Sequence, residues 1–170
     1  ANSLLALVLM LTPLLECVTM LAVQDTRRVS ELTTAALSNA GFAFVSSERP
    51  DASAGGLLFA ARHVFLDSID LVSSRFSPDL EAQLVRITKS VDGRMQHLVV
   101  GNVYAHPTCL ASDFIALLSE LRNAGCHVIC GDFNAWHCSW GAVENNPRGN
   151  ALALWLAASS FRVAAPFART

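Results

Sequence analysis

An acid and an amide follow a strongly apolar run in the last third of the chain. Residues 127–133 read His-Val-Ile-Cys-Gly-Asp-Phe and predict a buried strand, and Asn134 comes directly after them. Residues two apart in an extended segment point to the same side, so we expect Asp132 and Asn134 to share a face, with Phe133 turned into the core. The carboxylate could orient or deprotonate water, and the amide could donate to a developing oxyanion. A structural alternative is that Asp132 only caps the following loop.

Length and composition predict one folded domain over residues 1–170. The chain is 52% hydrophobic and only 15% charged, so it has enough apolar surface to offset chain entropy, which argues against disorder. The formal net charge is −2, whereas proteins that hold nucleic acid mainly through phosphates are usually basic. Binding of nucleic acid would therefore have to rest on a local site. The high apolar fraction also suggests a domain that leans on neighbouring sequence.

The five cysteines form no regular disulfide framework, and their odd number indicates a reducing compartment. Several lie near histidines in one part of the chain, which raises the possibility of a zinc site. Their spacing does not match a zinc ribbon or finger, so we disfavour zinc. The residues concerned are Cys126, His127, Cys130, His137 and Cys138.

The apolar stretch over residues 4–23 is long enough to span a bilayer. However, no basic residue precedes it, Pro13 interrupts it, and Glu16 would lie inside it. The alternative is a short helix over residues 3–16 followed by a buried strand over residues 18–23, which needs no lipid. We favour the reading without a membrane.

Periodicity elsewhere predicts a mixed order of strands and helices. Leucines and Phe114 at helical spacing, from Phe114 to Leu121, predict a helix with Ser112 as its N-cap and Gly125 as its stop. Asp92-Gly93 predicts a two-residue hairpin turn. The remaining predicted helices cover residues 28–40 and 149–160, and the strands 42–47, 57–62, 63–74, 80–88, 97–105 and the start of one at 161–165. Since strands outnumber helices, we predict an α/β protein (α+β by some schemes) with substantial antiparallel pairing.

Six short motifs in order along the chain resemble those of one family. They are ANSL at the start with Asn2, VQDT at 23–26, GGLLFAAR at 55–62, NVYAHP at 102–107, GDFNA at 131–135 and WG…NPRGNALALWL at 140–156. Together they resemble the endonuclease/exonuclease/phosphatase family, and within it the endonuclease domain of non-LTR (LINE-type) retrotransposons. This resemblance implies a deoxyribonuclease-I-like sandwich of two sheets flanked by helices.

The resemblance also implies roles for five residues. Asp25 would bind Mg²⁺, with Mn²⁺ as a possible substitute, and Asn2 would help to place the metal or its waters. Tyr104 would hydrogen-bond the scissile phosphate. Asp132 would align or activate the attacking water, and Asn134 would stabilise charge in the transition state.

Three further side chains are candidates for substrate binding, each with a structural alternative. His106 could contact substrate or simply be solvated in its loop. His137 could face DNA or pack within its loop. Arg148 could reach a phosphate or, as we expect, form a surface salt bridge with Glu144.

Two departures from the family pattern predict weak activity or none. Asp25 stands where the family has Glu, and its carboxylate reaches less far by about one C–C bond, on the order of 1.5 Å. The family completes its site with a late Ser-Asp-His motif and an earlier Asp, and neither occurs before Thr170. We therefore expect a domain that is truncated at its C-terminus, with open sheet edges.

The leading hypothesis is a Mg²⁺-dependent DNA endonuclease domain that would nick DNA for a downstream reverse transcriptase domain. Its partner would be DNA, and a nuclear location would be expected for an active element. The alternatives are a phosphatase or phosphodiesterase of the same fold, a degenerate remnant without catalysis, and a membrane-anchored protein.

Overall fold

The computed structural model describes residues 18–49 and 55–164. Its strands are β1 (Met20–Gln24), β2 (Phe42–Ser47), β3 (Leu57–Arg62), β4 (Ser68–Phe76), β5 (Leu80–Val91), β6 (Arg94–Ala105) and β7 (Val128–Asp132). Its α-helices are α1 (Glu31–Asn39), α2 (Ala111–Asn123) and α3 (Pro147–Ala157), and the 3₁₀ turns are His63–Phe65 and Cys138–Trp140.

Two sheets face each other in the centre of the molecule. The first has the order β1-β3-β2 and is antiparallel, and the second has the order β4-β5-β6-β7, in which β6 and β7 are parallel. The apolar core between the sheets includes Phe59 from the first sheet and Val85, Ile87 and Val100 from the second. Helix α1 covers the outer face of the first sheet, and α2 and α3 cover the outer face of the second. The predicted sandwich of two sheets flanked by helices is confirmed.

The predicted Asp92-Gly93 hairpin is also confirmed. Both residues have positive φ, 51° and 74°, as the favoured two-residue hairpin turns require. The turn joins β5 to β6 with Val91 paired to Arg94, so β6 begins three residues earlier than residue 97. With 12 residues in each strand, this hairpin is the longest strand pair in the described structure.

Three predictions about element limits are wrong. Residues 63–74 are not one strand, because the N–H of Leu66 bonds to the carbonyl of His63 and closes a 3₁₀ turn before β4. Ser112 is not a cap, since α2 begins at Ala111 and has no side-chain cap. The last helix begins at Pro147 and ends at Ala157, because the side chain of Asn146 caps it.

The strand predicted over residues 127–133 is present as β7 but is not fully buried. It lies at the end of the four-stranded sheet in the described part of the chain, and Val128 is 44% exposed. Residues 161–164 contain no strand, and residue 165 lies outside the described ranges.

The described residues include only part of the N-terminal stretch for which a helix and a strand were predicted. A strand lies close to the predicted 18–23, as β1, and the helix predicted over residues 3–16 lies outside the described residues. None of the helices within 18–49 and 55–164 is long and apolar enough to cross a membrane.

Candidate active site

The layer between the two sheets changes from apolar to polar along its length. In β5 the side chains that face the first sheet run from Val85 to Gln83 and Glu81, and in β6 from Val100 to Asn102 and on to Tyr104. Antiparallel register pairs Gln83 with Asn102 and Glu81 with Tyr104. Because side chains two apart share a face, both strands present their polar residues at the same end of the sandwich. This polar end holds the residues that could do chemistry.

Asn102 joins the two sheets where the polar end begins. It is fully buried, its Nδ2 donates to the carbonyl oxygens of Leu58 (3.2 Å) and Val23 (3.4 Å), and its Oδ1 accepts from Nε2 of Gln24 at 2.6 Å. Buried polar groups are costly to leave unpaired, so these bonds fix the end of β1 over β6. Asp25 is the next residue after that fixed end.

Tyr104 lies in a row of acidic side chains. Parallel register places it opposite Asp132 of β7, and antiparallel register places it opposite Glu81 on its other side. The pKa of Tyr104 is raised, first by burial and then by the negative charges of Asp132, Asp25 and Glu81. Its hydroxyl therefore stays protonated at neutral pH and can donate to a substrate oxygen.

The conformation of residues 131–134 depends on the residue types at Gly131, Phe133 and Asn134. Gly131 has φ 134°, and a Cβ there would collide with the main chain of Val103 in β6. The ring of Phe133 packs against that of Phe114 at 5.4 Å between centroids, as predicted. Asn134 adopts the left-handed conformation with φ 44°, which Asn tolerates better than most residues.

The sequence predicts that alternation along an extended strand places Asp132 and Asn134 on one face. The two residues are instead neighbours because of this turn. The N–H of Asn134 donates to Oδ1 of Asp132 at 3.0 Å, so Asp132 does cap the following loop. The carboxylate is exposed and has about four acceptor sites, which leaves it able to orient a water as well. Nδ2 of Asn134 donates to the carbonyl of Ala105 at 3.1 Å, and the second hydrogen of that amide group can serve a substrate.

The prediction that Arg148 lies on the surface is wrong. Its side chain is 4% exposed, and its guanidinium donates to main-chain carbonyls from the loops after β6 and β7. The bonds to Phe133 and to His106 are both 2.8 Å, and others reach Ala105, Asn134, Pro107 and Cys109. A planar guanidinium with five N–H donors suits such a cluster of carbonyls. Arg148 therefore holds together the two loops that carry the candidate residues.

Asn146 was missed by sequence reasoning and supports the same loop. Its Oδ1 accepts from the N–H of Gly149 (2.7 Å) and of Trp136 (3.1 Å), and its Nδ2 donates to the carbonyl of Asn134 at 2.8 Å. The signal that could have identified it is the Asn-Pro pair, since Asn is a preferred N-cap and Pro a preferred first helical residue.

The two candidate histidines, His106 and His137, are held by contacts with nearby residues. His106 is exposed, its Nδ1 lies 2.8 Å from Oγ1 of Thr108, and its ring lies edge-on to Tyr104 at 6.5 Å between centroids. His137 accepts from the N–H of Ser139 at 3.1 Å and stacks on Trp140 at 4.8 Å between centroids. Asn2 lies outside the described residues.

Asp25 is the first residue after β1 and adopts the left-handed conformation, with φ 54°. Its side chain is exposed, and its Oδ1 accepts from the N–H of Gly55 at 3.0 Å. A divalent ion such as Mg²⁺ is commonly bound through one or two carboxylates, while water and substrate phosphate complete its shell. An exposed carboxylate near Tyr104 and Asp132 fits such an ion. Within the described ranges, no group of three or more His, Cys, Asp or Glu could hold a metal by itself.

A groove of about 1010 Å³ runs along β7 and beside α3. Asp132 and Asn134 line it, and most of the remaining wall is apolar, with Trp136, Trp155 and Phe161 among its residues. The groove adjoins the polar end at Asp132 and Asn134, and neither Tyr104 nor Asp25 lines it.

Comparisons with known proteins show likenesses in part of the sequence and in the fold. Residues 98–169 match the family model described as endonuclease-reverse transcriptase. No curated protein matches the chain. Among solved structures, ANGEL2, a 2′,3′-cyclic phosphatase, in complex with adenosine-2′,3′-vanadate, has a TM-score of 0.58 at 16% identity over 79% of this chain and 44% of ANGEL2. The human Nocturnin catalytic domain with bound sulfate has a TM-score of 0.49 at 16% identity, over 80% of this chain and 58% of that one.

The chain spans about half the length of these solved structures. The likeness to ANGEL2 shows the shared fold, and the family model covers the segment that carries Tyr104, Asp132 and Asn134. The chain has the deoxyribonuclease-I-like fold, and its residues 98–169 are similar to the endonuclease-reverse transcriptase family.

Proposed function

We propose that the chain is the Mg²⁺-dependent DNA endonuclease domain of a non-LTR retrotransposon and cleaves phosphodiester bonds. The observation that carries this proposal is the register of Tyr104 opposite Asp132, with Asn134 turned back beside them. The match to the endonuclease-reverse transcriptase model over the same residues favours a nuclease over other activities of the fold. DNA is the proposed substrate, and a reverse transcriptase domain is the proposed downstream partner.

In the proposed reaction, each residue acts on one part of the phosphodiester. Asp132 orients the attacking water and accepts its proton. The protonated Tyr104 and the second amide hydrogen of Asn134 donate to phosphate oxygens as negative charge builds on them. Asp25 holds the metal, with Asn2 as a proposed second contact, and the bound ion supplies neutralisation of charge on the phosphate and on the leaving oxygen.

We propose that activity is weak, because of Asp25. Its carboxylate is shorter than the Glu that the family pattern has there by about 1.5 Å. The N–H of Gly55 holds one of its oxygens in place, so the carboxylate cannot shift to make up for the missing length. Mg²⁺ demands near-ideal octahedral geometry, which makes its affinity sensitive to such a displacement.

The proposal is tested by nicking of supercoiled plasmid DNA by the purified chain in Mg²⁺, with EDTA as the metal-free control. Asp132→Asn is compared with Asp67→Asn, which removes an exposed carboxylate next to the first residue of β4. We expect nicking by the original chain and by Asp67→Asn, and a loss of about 100-fold or more in Asp132→Asn.

Nicking that persists in EDTA, or that Asp132→Asn leaves unchanged, would contradict the proposal. Hydrolysis of a 2′,3′-cyclic nucleotide without any nicking would favour a phosphatase of the same fold. A folded chain that does neither, in Mg²⁺ or Mn²⁺, would favour a remnant without catalysis.

A further inference from the structure

A buried ion pair lies beside the candidate site and takes no part in the reaction proposed above. Glu81 is 2% exposed, and its Oε1 lies 3.2 Å from Nε of Arg49. Its Oε2 accepts from the N–H of Gly56 at 2.9 Å. A buried carboxylate is tolerated only when it is paired and hydrogen-bonded, so these contacts confine Glu81 to one position.

Arg49 connects this pair to the end of a strand and to a turn. It follows β2 by two residues, its side chain is largely buried, and its guanidinium also donates to the carbonyl of Ser77 just before β5. Glu81 itself lies in β5 opposite Tyr104. The pair therefore fixes the main chain around residues 55 and 56 relative to the second sheet.

Two glycines let the main chain pass between Glu81 and the segment that carries Asp25. Gly55 and Gly56 have φ of 83° and 95°, a conformation that favours glycine. A Cβ on Gly55 would collide with the carboxylate of Glu81, and a Cβ on Gly56 would lie 2.9 Å from the carbonyl oxygen of Arg27. This dipeptide thus contacts Glu81 on one side and residues 25–27 on the other.

The hydrogen bonds on that second side reach Asp25 itself. The N–H of Gly55 donates to Oδ1 of Asp25 at 3.0 Å. The carbonyls of Gly56 and Gly55 accept from the N–H groups of Thr26 (3.1 Å) and Arg27 (2.6 Å). A shift of the two glycines would therefore move both the main chain after β1 and the carboxylate of Asp25.

We propose that Glu81, paired with Arg49, is a positioning residue: it fixes the Gly55-Gly56 main chain so that the N–H of Gly55 orients the Asp25 carboxylate toward a divalent cation. This inference rests on the proposed metal site at Asp25. Glu81 does not touch the ion in this scheme. It acts through the main chain, as groups that orient metal ligands commonly do.

The test measures binding of Mn²⁺ alone, by the electron paramagnetic resonance signal of the free ion, so it needs no catalysis. Glu81→Gln keeps an acceptor for the N–H of Gly56 but removes the charge that holds Arg49. Asp25→Asn reports whether the bound ion lies at Asp25. Asp67→Asn is the control, because it breaks the exposed pair of Asp67 with Lys89.

We expect Glu81→Gln to weaken Mn²⁺ binding about tenfold or more, which is typical for loss of a group that orients a ligand, and Asp67→Asn to leave it unchanged. The double variant Glu81→Met with Arg49→Met removes both charges and keeps the site packed, so it is expected to fold even if Glu81→Gln does not. Its stability should approach that of the original chain while its Mn²⁺ binding stays weak.

Mn²⁺ binding that Asp25→Asn weakens, but that Glu81→Gln and the double variant leave unchanged, would overturn this inference and leave the proposed function standing. Failure of the original chain to bind Mn²⁺, or binding that Asp25→Asn does not alter, would overturn both.

Discussion

The two ends of the candidate site are held in different ways. The turn that carries Asn134 is bonded by buried or half-buried groups on several sides, including the guanidinium of Arg148 and the side chain of Asn146. The carboxylate of Asp25, at the other end, is exposed and accepts from the N–H of Gly55. Many hydrogen bonds preorganise the Asn134 end. At the other end, the position of the Asp25 carboxylate depends on the main chain of Gly55 and Gly56.

Both ends nevertheless share one local feature. Asp25 and Asn134 are two of the four residues other than glycine with positive φ in the described ranges, at 54° and 44°. Such conformations are sparsely populated and persist where the surrounding structure imposes them. At Asn134 the surrounding bonds are many and at Asp25 few, so substitutions at the two ends should have unequal consequences.

Among these predictions, removal of the Arg148 side chain, which supports the Asn134 end, should have the largest effect. Arg148→Ala would leave several buried carbonyls without a donor, and we expect a loss of at least about 3 kcal/mol in the free energy of unfolding, measured in urea. Arg162→Ala is the matched control, because Arg162 also bonds main-chain carbonyls but is exposed, and we expect a change within about 0.5 kcal/mol. Similar losses in both variants would show that burial of Arg148 does not matter.

Lengthening each carboxylate by one methylene should affect the two ends in opposite directions. Asp25→Glu should tighten Mn²⁺ binding several-fold, on the order of 1 kcal/mol, because the exposed side chain has room to extend toward the ion. Asp132→Glu should lower nicking about 100-fold, because Oδ1 of Asp132 closes a tight turn with the N–H of Asn134. If the added methylene changes Mn²⁺ binding and nicking to the same extent at both positions, the proposed difference between the two ends is wrong.

Asn146 and its neighbour Asn145 provide a smaller and closely matched comparison. Asn146→Ala removes the cap of α3 and the bond to the carbonyl of Asn134, and should cost about 1–2 kcal/mol of unfolding free energy. Asn145→Ala removes one exposed bond, to the N–H of Cys138, and should cost less than about 1 kcal/mol. The order of the two midpoints in thermal unfolding checks this prediction, and a reversed order would contradict it.

The smallest predicted effect is on the ionisation of Tyr104, the only tyrosine in the chain. Its pKa is raised by burial and then by Asp132, Asp25 and Glu81, so Asp132→Asn should lower the pKa toward its ordinary value and Asp67→Asn should not. Absorbance of the phenolate during alkaline titration reads this directly. Because the raised pKa favours the protonated folded state, stability should fall as pH rises above the unfolded value of about 10, and Tyr104→Phe should remove that loss.

Much of the local structure could be predicted because short-range chemistry decides it. The strands over residues 42–47 and 57–62 follow from apolar runs, and the Asp92-Gly93 hairpin follows from its two turn residues. The extent of α3 was missed by two or three residues at each end, although Asn146 and Pro147 carry a local signal.

The side chains that support the site, Arg148 and Glu81, could not be predicted from short-range patterns. Arg148 looked like a surface cation because a sequence does not show which carbonyls will surround a side chain, and Ala105, one of its acceptors, lies 43 residues away. Glu81 was overlooked because β5 begins with alternating apolar and polar residues, a pattern typical of a strand with one exposed face, and only the packing of the sheets shows that its polar face is buried next to the glycines.

The sequence by itself determined most of the strands, the hairpin and the kinds of side chain available for chemistry, because these depend on neighbouring residues. The tertiary structure alone decided that Tyr104, Asp132 and Asp25 lie at one end of the sandwich and that Arg148 and Glu81 are buried beside them. The physical reason is that burial and pairing of charge depend on groups from distant segments, which meet only when the two sheets and the helices pack.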